Sequence, residues 1–159
     1  MSVIKKASIL RVKTELGKCT KYVELYNWII SPIDETNLVF TVDMASPVDF
    51  EKYRFDVGFD NYNEWPVTID FLDLKTGEKG LKSSYPSSKK HGQFFHPKPC
   101  ICHPSCRNAY GSYTNLHNEW DMAGWKENPK TGSLKSLEAI FLAIYYRINN
   151  SEIYGGRMK

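Results

Sequence analysis

Three of the chain's four cysteines and two of its four histidines fall within His96-Pro97-Lys98-Pro99-Cys100-Ile101-Cys102-His103-Pro104-Ser105-Cys106. Pro97, Pro99 and Pro104 stiffen the same stretch. Core packing rarely calls for such a cluster, so chemistry is sought there first. Two chemistries fit. One is a thiolate nucleophile held on a rigid loop, where it can be reached. The other is metal ligation. Cys100, Cys102, His103 and Cys106 spell C-x-C-H-x2-C, with His96 nearby, and soft thiolates with imidazole suit zinc. The spacing argues partly against zinc. No second Cys/His pair lies downstream, only His117, and adjacent Cys102 and His103 point to different sides of an extended chain. Cys19 stands apart and reads as a buried, inert thiol. His91 and His117 read as surface histidines. Glu119 and Asp121, beside Trp120, read as a solvated face, the alternative being a gate for an incoming lysine.

The bulk composition sets the frame. A chain of 159 residues suits one domain with one real core. It is 42% hydrophobic and 25% charged, within the ordinary globular range. The net charge of +3 is mild and no Lys/Arg block exceeds two residues, which argues against a dedicated nucleic-acid protein. Met1 to Lys6 contains no apolar leader core, and no apolar run approaches the roughly 18 residues of a membrane span. The expectation is a cytoplasmic protein that binds neither nucleic acid nor membrane. In a reducing compartment, clustered cysteines point to metal or catalysis more than to disulfides.

The elements that must position the cluster follow from periodicity. Val3, Ile4, Ala7, Leu10 and Leu16 share a helical face, which predicts a first helix over 3–16, ended by Gly17. Tyr22 to Ile30 reads at period two as a first strand, stopped by Ser31-Pro32. Leu38 to Met44 reads as a second. Tyr53, Phe55, Val57 and Phe59 alternate with Arg54, Asp56, Gly58 and Asp60, predicting a third strand with one face buried. Pro66 opens a fourth, Val67 to Leu72. Short connections favour an antiparallel meander. Lys75 to Gln93 reads as a long, mobile surface loop. Asn108 to Lys130 shows no clear period and reads as irregular chain or short helical turns. Ser133 is a plausible N-cap for a closing helix through Leu134, Leu137, Phe141, Ile144, Tyr145 and Ile148. Gly155-Gly156 reads as a C-terminal cap or flexible end. The fold class is α+β: an N-terminal helix, a four-stranded antiparallel meander, an irregular active-site segment and a C-terminal helix, in a single domain over 1–159.

This order resembles the ubiquitin-conjugating (E2, UBC-like) fold. Asn61-Tyr62-Asn63-Glu64-Trp65-Pro66 resembles that family's tyrosine-proline segment, keeping the tyrosine and the last proline. His96-Pro97 resembles the start of its His-Pro-Asn motif, with Lys98 standing for asparagine. Ile101-Cys102 resembles its Ile-Cys pair, without the preceding glycine. Trp120 or Trp125 resembles the tryptophan that follows, at a longer interval than the family's. The aromatic helix before Ile153-Tyr154-Gly155-Gly156 is similar to bacterial E2-like proteins encoded beside E1-like and ubiquitin-like partners, some in antiviral operons.

The resemblance implies a transferase. Cys102 would take the acyl end of a ubiquitin-like protein from an E1-like enzyme as a thioester and pass it to an amine on an acceptor protein. His96 and His103 would donate to the oxyanion or relay protons. Cys106 is the rival nucleophile, because its interval from His96 is close to the family's, and Cys100 is a lesser one. A second alignment takes His103-Pro104 as the His-Pro pair and sets Thr114 over the nucleophile, which implies a non-catalytic E2 variant that only binds a ubiquitin-like protein. No cofactor is implied, and a zinc staple at Cys100–Cys106 remains the alternative.

Overall fold

The computed structural model describes residues 1–90 and 94–159. His91 and the last residues of the expected 75–93 loop lie outside the described residues. The chain opens on α1 (Val3–Gly17), capped by Ser2, whose Oγ accepts from the Lys5 backbone N–H at 3.1 Å. Its buried face is Ser8, Ile9, Val12 and Glu15. This corrects the expected face, since Val3, Ile4 and Leu10 are more than 60% exposed. Apolar residues lie all round this helix, so periodicity alone mis-set its rotation. The burial of Glu15 settles it. One carboxylate oxygen accepts from Tyr62 Oη at 2.9 Å and from the Leu137 N–H at 2.8 Å, and the other from Arg11 Nε at 2.6 Å.

The expected first strand is mostly a helix. α2 (Thr20–Tyr26) follows α1 almost directly, and only β1 (Ile29–Ile30) is extended. Tyr22, Tyr26 and Trp28 fit period two, but Tyr22 and Tyr26 are also one helical turn apart. In the fold they stack on each other at 6.2 Å, and Tyr26 stacks on Tyr145 at 4.4 Å. Asn27 ends α2 in the left-handed conformation, with φ 57°.

The remaining meander matches its sequence pattern. β2 (Val39–Ala45), β3 (Lys52–Gly58) and β4 (Thr68–Leu72) follow β1 in the order β1-β2-β3-β4, all antiparallel. Phe40, Val42, Met44, Tyr53, Phe55, Val57, Ile69 and Phe71 form the buried face. The other face is largely polar. Arg54 there binds its cross-strand partner Asp43 bidentately at 2.7 and 2.8 Å. α4 (Leu137–Asn149), the last helix, covers the apolar face through Phe141, whose ring lies 6.2 Å from Phe40 and 5.9 Å from Phe55. Its N-cap is Ser136, not Ser133, with Oγ accepting from Ala139 N at 3.2 Å.

Two more corrections concern segments read as loose. Within 75–90, Ser84 to Pro86 are buried and β5 (Pro86–Ser88) is extended. Its partner is β8 (Tyr154–Arg157), so Gly155 and Gly156 lie in a strand. Between them come β6 (Phe95–His96), β7 (Cys100–Ile101) and the short α3 (Gly111–Thr114). The α+β class, with N-terminal helix, four-stranded antiparallel sheet and C-terminal helix, stands. No helix among the described residues is long and apolar enough to cross a membrane.

Candidate active site

The cysteine-rich stretch is a small hairpin laid on the end of the sheet. β6 and β7 pair antiparallel, Phe95 with Ile101 and His96 with Cys100. Pro97, Lys98 and Pro99 make the turn, and His96 Nδ1 accepts the Lys98 backbone N–H at 2.9 Å. Phe95 and Ile101 are buried, and the Phe95 ring meets Phe71 of β4 edge to face at 6.2 Å. The Cys102 N–H donates to Phe94 O at 2.7 Å, which prolongs the ladder by one residue. Cys102 thus leaves the hairpin at a fixed place. Arg107 then clamps the segment to the β3–β4 connection. Its fully buried guanidinium donates to Pro66 O at 3.0 and 2.8 Å, to Asp60 O at 2.7 Å and to Asp60 Oδ1 at 3.0 Å.

Of the four cysteines, all within the described residues, three are buried and Cys102 is partly exposed. Burial pushes the Cys19 and Cys100 thiols up to about 12. Cys106 is raised further by the same cause, and its Sγ donates to Asn108 Oδ1 at 3.3 Å. A thiol of that kind is a structural group. Cys102 is also raised by burial, with Lys130 pulling the other way.

Neither flanking histidine meets the Cys102 thiol through a hydrogen bond of its own. His96 serves the turn. His103 Nδ1 accepts from Ser105 Oγ at 2.6 Å and Ser105 N at 3.2 Å. Burial, with nearby Arg147, lowers His103 to about 4, against a smaller opposing effect of a hydrogen bond to the Lys130 backbone. It is therefore neutral at pH 7.

The partner of Cys102 is His117, read from sequence as a surface histidine. Cys102 Sγ lies 3.2 Å from His117 Nε2. The other ring nitrogen, Nδ1, lies 3.4 Å from Glu119 Oε1. An ionised carboxylate only accepts, so Nδ1 carries the proton and Nε2 accepts from the thiol. Glu119's own backbone N–H, with His117, holds its carboxyl below the usual range. The imidazole lies flat on Trp120, ring centres 3.6 Å apart and planes 4° apart. Trp125, the other candidate tryptophan, is core.

His117 returns to Cys102 because the chain between them folds tightly. The Lys98 ammonium donates to Thr114 O, tying the hairpin turn to α3. Gly111 N donates to His117 O at 3.3 Å. A Cβ on Gly111 would sit 2.9 Å from Asn118 Cα, so only glycine permits this approach. Trp120 also walls an open cleft of roughly 360 Å³ with Trp65, Tyr110, Asp121 and Met122. Sequence reasoning missed His117 and Glu119. The available signal was a His-x-Glu pair just before a tryptophan in a stretch with no helical or strand period.

The metal expectation meets a different arrangement. Among the described residues no three His, Cys, Asp or Glu side chains gather as a ligand set. Cys106 and His103 are instead bound to Asn108 and Ser105. Comparison with known proteins returns no matching family model and no matching curated protein.

Proposed function

We propose that this chain is an E2-like carrier with a UBC-like fold, in which Cys102 accepts a ubiquitin-like protein as a thioester from an E1-like enzyme and passes it to an amine on an acceptor protein. The supporting observation is the state of Cys102: the one partly exposed thiol of four, on a rigid segment beyond a helix and a four-stranded meander. Cysteine suits both halves of such a transfer, first as nucleophile and then as leaving group. Cys106 fits the role less well, because its sulfur is fully buried and raised in pKa. His96 and Lys98 act on the loop here: one closes the turn and the other ties it to α3.

The test is reconstitution with ATP, an E1-like enzyme and the ubiquitin-like protein that enzyme activates, read on a non-reducing gel. A thiol-sensitive adduct that survives Cys100→Ala and Cys106→Ala but is lost in Cys102→Ala is the expected result. Absence of an adduct from the wild type, with an E1-like enzyme proven charged, sinks the carrier reading.

A further inference from the structure

The arrangement Cys102–His117–Glu119 does more than a carrier requires. A carrier receives an acyl group already activated as a thioester. Here the thiol also has a base aimed at it, and the base has a carboxylate behind it. Burial holds the Cys102 thiol protonated, so attack on a less activated carbonyl needs that base. The ring cannot swing freely, because it is stacked on Trp120 and its backbone carbonyl is bonded to both Gly111 and Trp120. Lys130, whose ammonium lies 5.9 Å from the Trp120 ring centre, adds positive charge in the neighbourhood of the Cys102 thiol.

We infer that Cys102, His117 and Glu119 form a nucleophile, base and positioning group that hydrolyse carboxylic esters and thioesters without any partner protein. In the first half, the Cys102 sulfur attacks the acyl carbon as its proton passes to His117 Nε2. The carbon–sulfur bond forms, the bond to the leaving alkoxide or thiolate breaks, and the imidazolium returns the proton to that leaving group. In the second half, His117 takes a proton from water while the water oxygen bonds the acyl carbon. The carbon–sulfur bond breaks and the sulfur recovers the proton. Ester and water become acid and alcohol or thiol, and nothing is oxidised or reduced. Glu119 acts through His117, accepting from Nδ1–H so that Nε2 faces the thiol.

The protein alone with p-nitrophenyl acetate tests this. The wild type should show a stoichiometric burst, an acetyl group on Cys102 by intact mass, and continued turnover. Cys102→Ala should abolish all three. His117→Gln should slow both burst and turnover by about 100-fold, within the usual reach of general-base catalysis. Glu119→Gln should lower kcat by about tenfold with KM unchanged, and Glu119→Asp, which keeps a carboxylate acceptor for the Nδ1–H, should recover part of that loss; a merely structural role would not follow the carboxylate. Circular dichroism checks that each variant is folded. Turnover unchanged in Cys102→Ala or in folded His117→Gln overturns the inference, and so does an acetyl-enzyme that never turns over. The carrier reading is judged separately on its own gel: adduct without ester turnover refutes only the hydrolase, and turnover without adduct refutes only the carrier.

Discussion

At the scale of single residues, the cysteine-rich segment holds groups set around the Cys102 thiol and groups bonded within the loop. His103 is bonded to Ser105 within the loop, and its protonation has a predictable cost. Its native pKa is lowered to about 4, while an unfolded histidine titrates near the ordinary ~6.5. As pH falls from about 6.5 to about 4, the unfolded chain takes a proton that the folded chain refuses. Stability is therefore fully present above that window and lost through it. Allowing for the solvent that still reaches the ring, the loss is about 1–2 kcal/mol. Urea unfolding at pH 7.5 and 4.5 should show wild type losing that much more than His103→Asn, whose amide oxygen can accept from Ser105 but does not titrate. Parallel losses in both proteins would remove His103 as the cause. Sequence marked Cys102 and His103 by their neighbours alone. His117 escaped because its local signal, a His-x-Glu pair before Trp120, does not say what the ring faces. It becomes a partner of Cys102 only through the Gly111–Asn118 approach and the Lys98–Thr114 tie, contacts that no spacing rule encodes.

At the scale of elements, legibility followed the strength of alternation. β2, β3 and β4 were readable because every second residue is large and apolar, and each of those lies on one buried face. α2 was not, because its aromatic spacing satisfies strand and helix alike, and contact with Tyr145 and Trp28 decides between them. The rotation of α1 was hidden for another reason: a carboxylate occupies its buried face. Glu15 joins three elements by accepting from Arg11, Tyr62 and the first N–H of α4. A negative group at a helix N-terminus is favourable, and removing it leaves a buried hydroxyl and a buried N–H unpaired. Glu15→Ala should lower unfolding free energy by about 2–4 kcal/mol. Glu15→Gln, which keeps an acceptor for one donor, should lose less. Equal midpoints for wild type and Glu15→Ala in urea would show that these bonds contribute nothing net.

At the scale of the whole molecule, contacts between distant parts of the chain make one cooperative unit. Glu15 reaches Leu137, Ser46 Oγ donates to Ile148 O at 2.5 Å, and Tyr53 shares a hydroxyl contact with Tyr154. Tyr154 Oη donates to the Asp49 carboxylate at 2.9 and 3.1 Å, so Tyr53 is the donor to Tyr154. Beyond it Arg157 binds Glu51, Ser83 O and Lys52 O, and Met158 is buried. β8 thereby fastens β5 to the β2–β3 hairpin, and Tyr85, just before β5, packs on Phe71 at 4.9 Å, the same ring that carries Phe95 of the site hairpin. The site rests on a tail that sequence read as a C-terminal cap or flexible end. Tyr154→Phe leaves Tyr53 without its acceptor and Asp49 without its donor, a loss of about 1–3 kcal/mol. Because the core is continuous, that loss should lower the stability of the whole domain. Two probes can follow it in urea: tryptophan fluorescence for the core, and alkylation of Cys106, buried between β4 and the site segment. Both midpoints should fall together in Tyr154→Phe, while in native buffer Cys102 should remain the one rapidly alkylated thiol. Cys106 alkylation well before the fluorescence change would instead show that the site segment opens as a unit of its own.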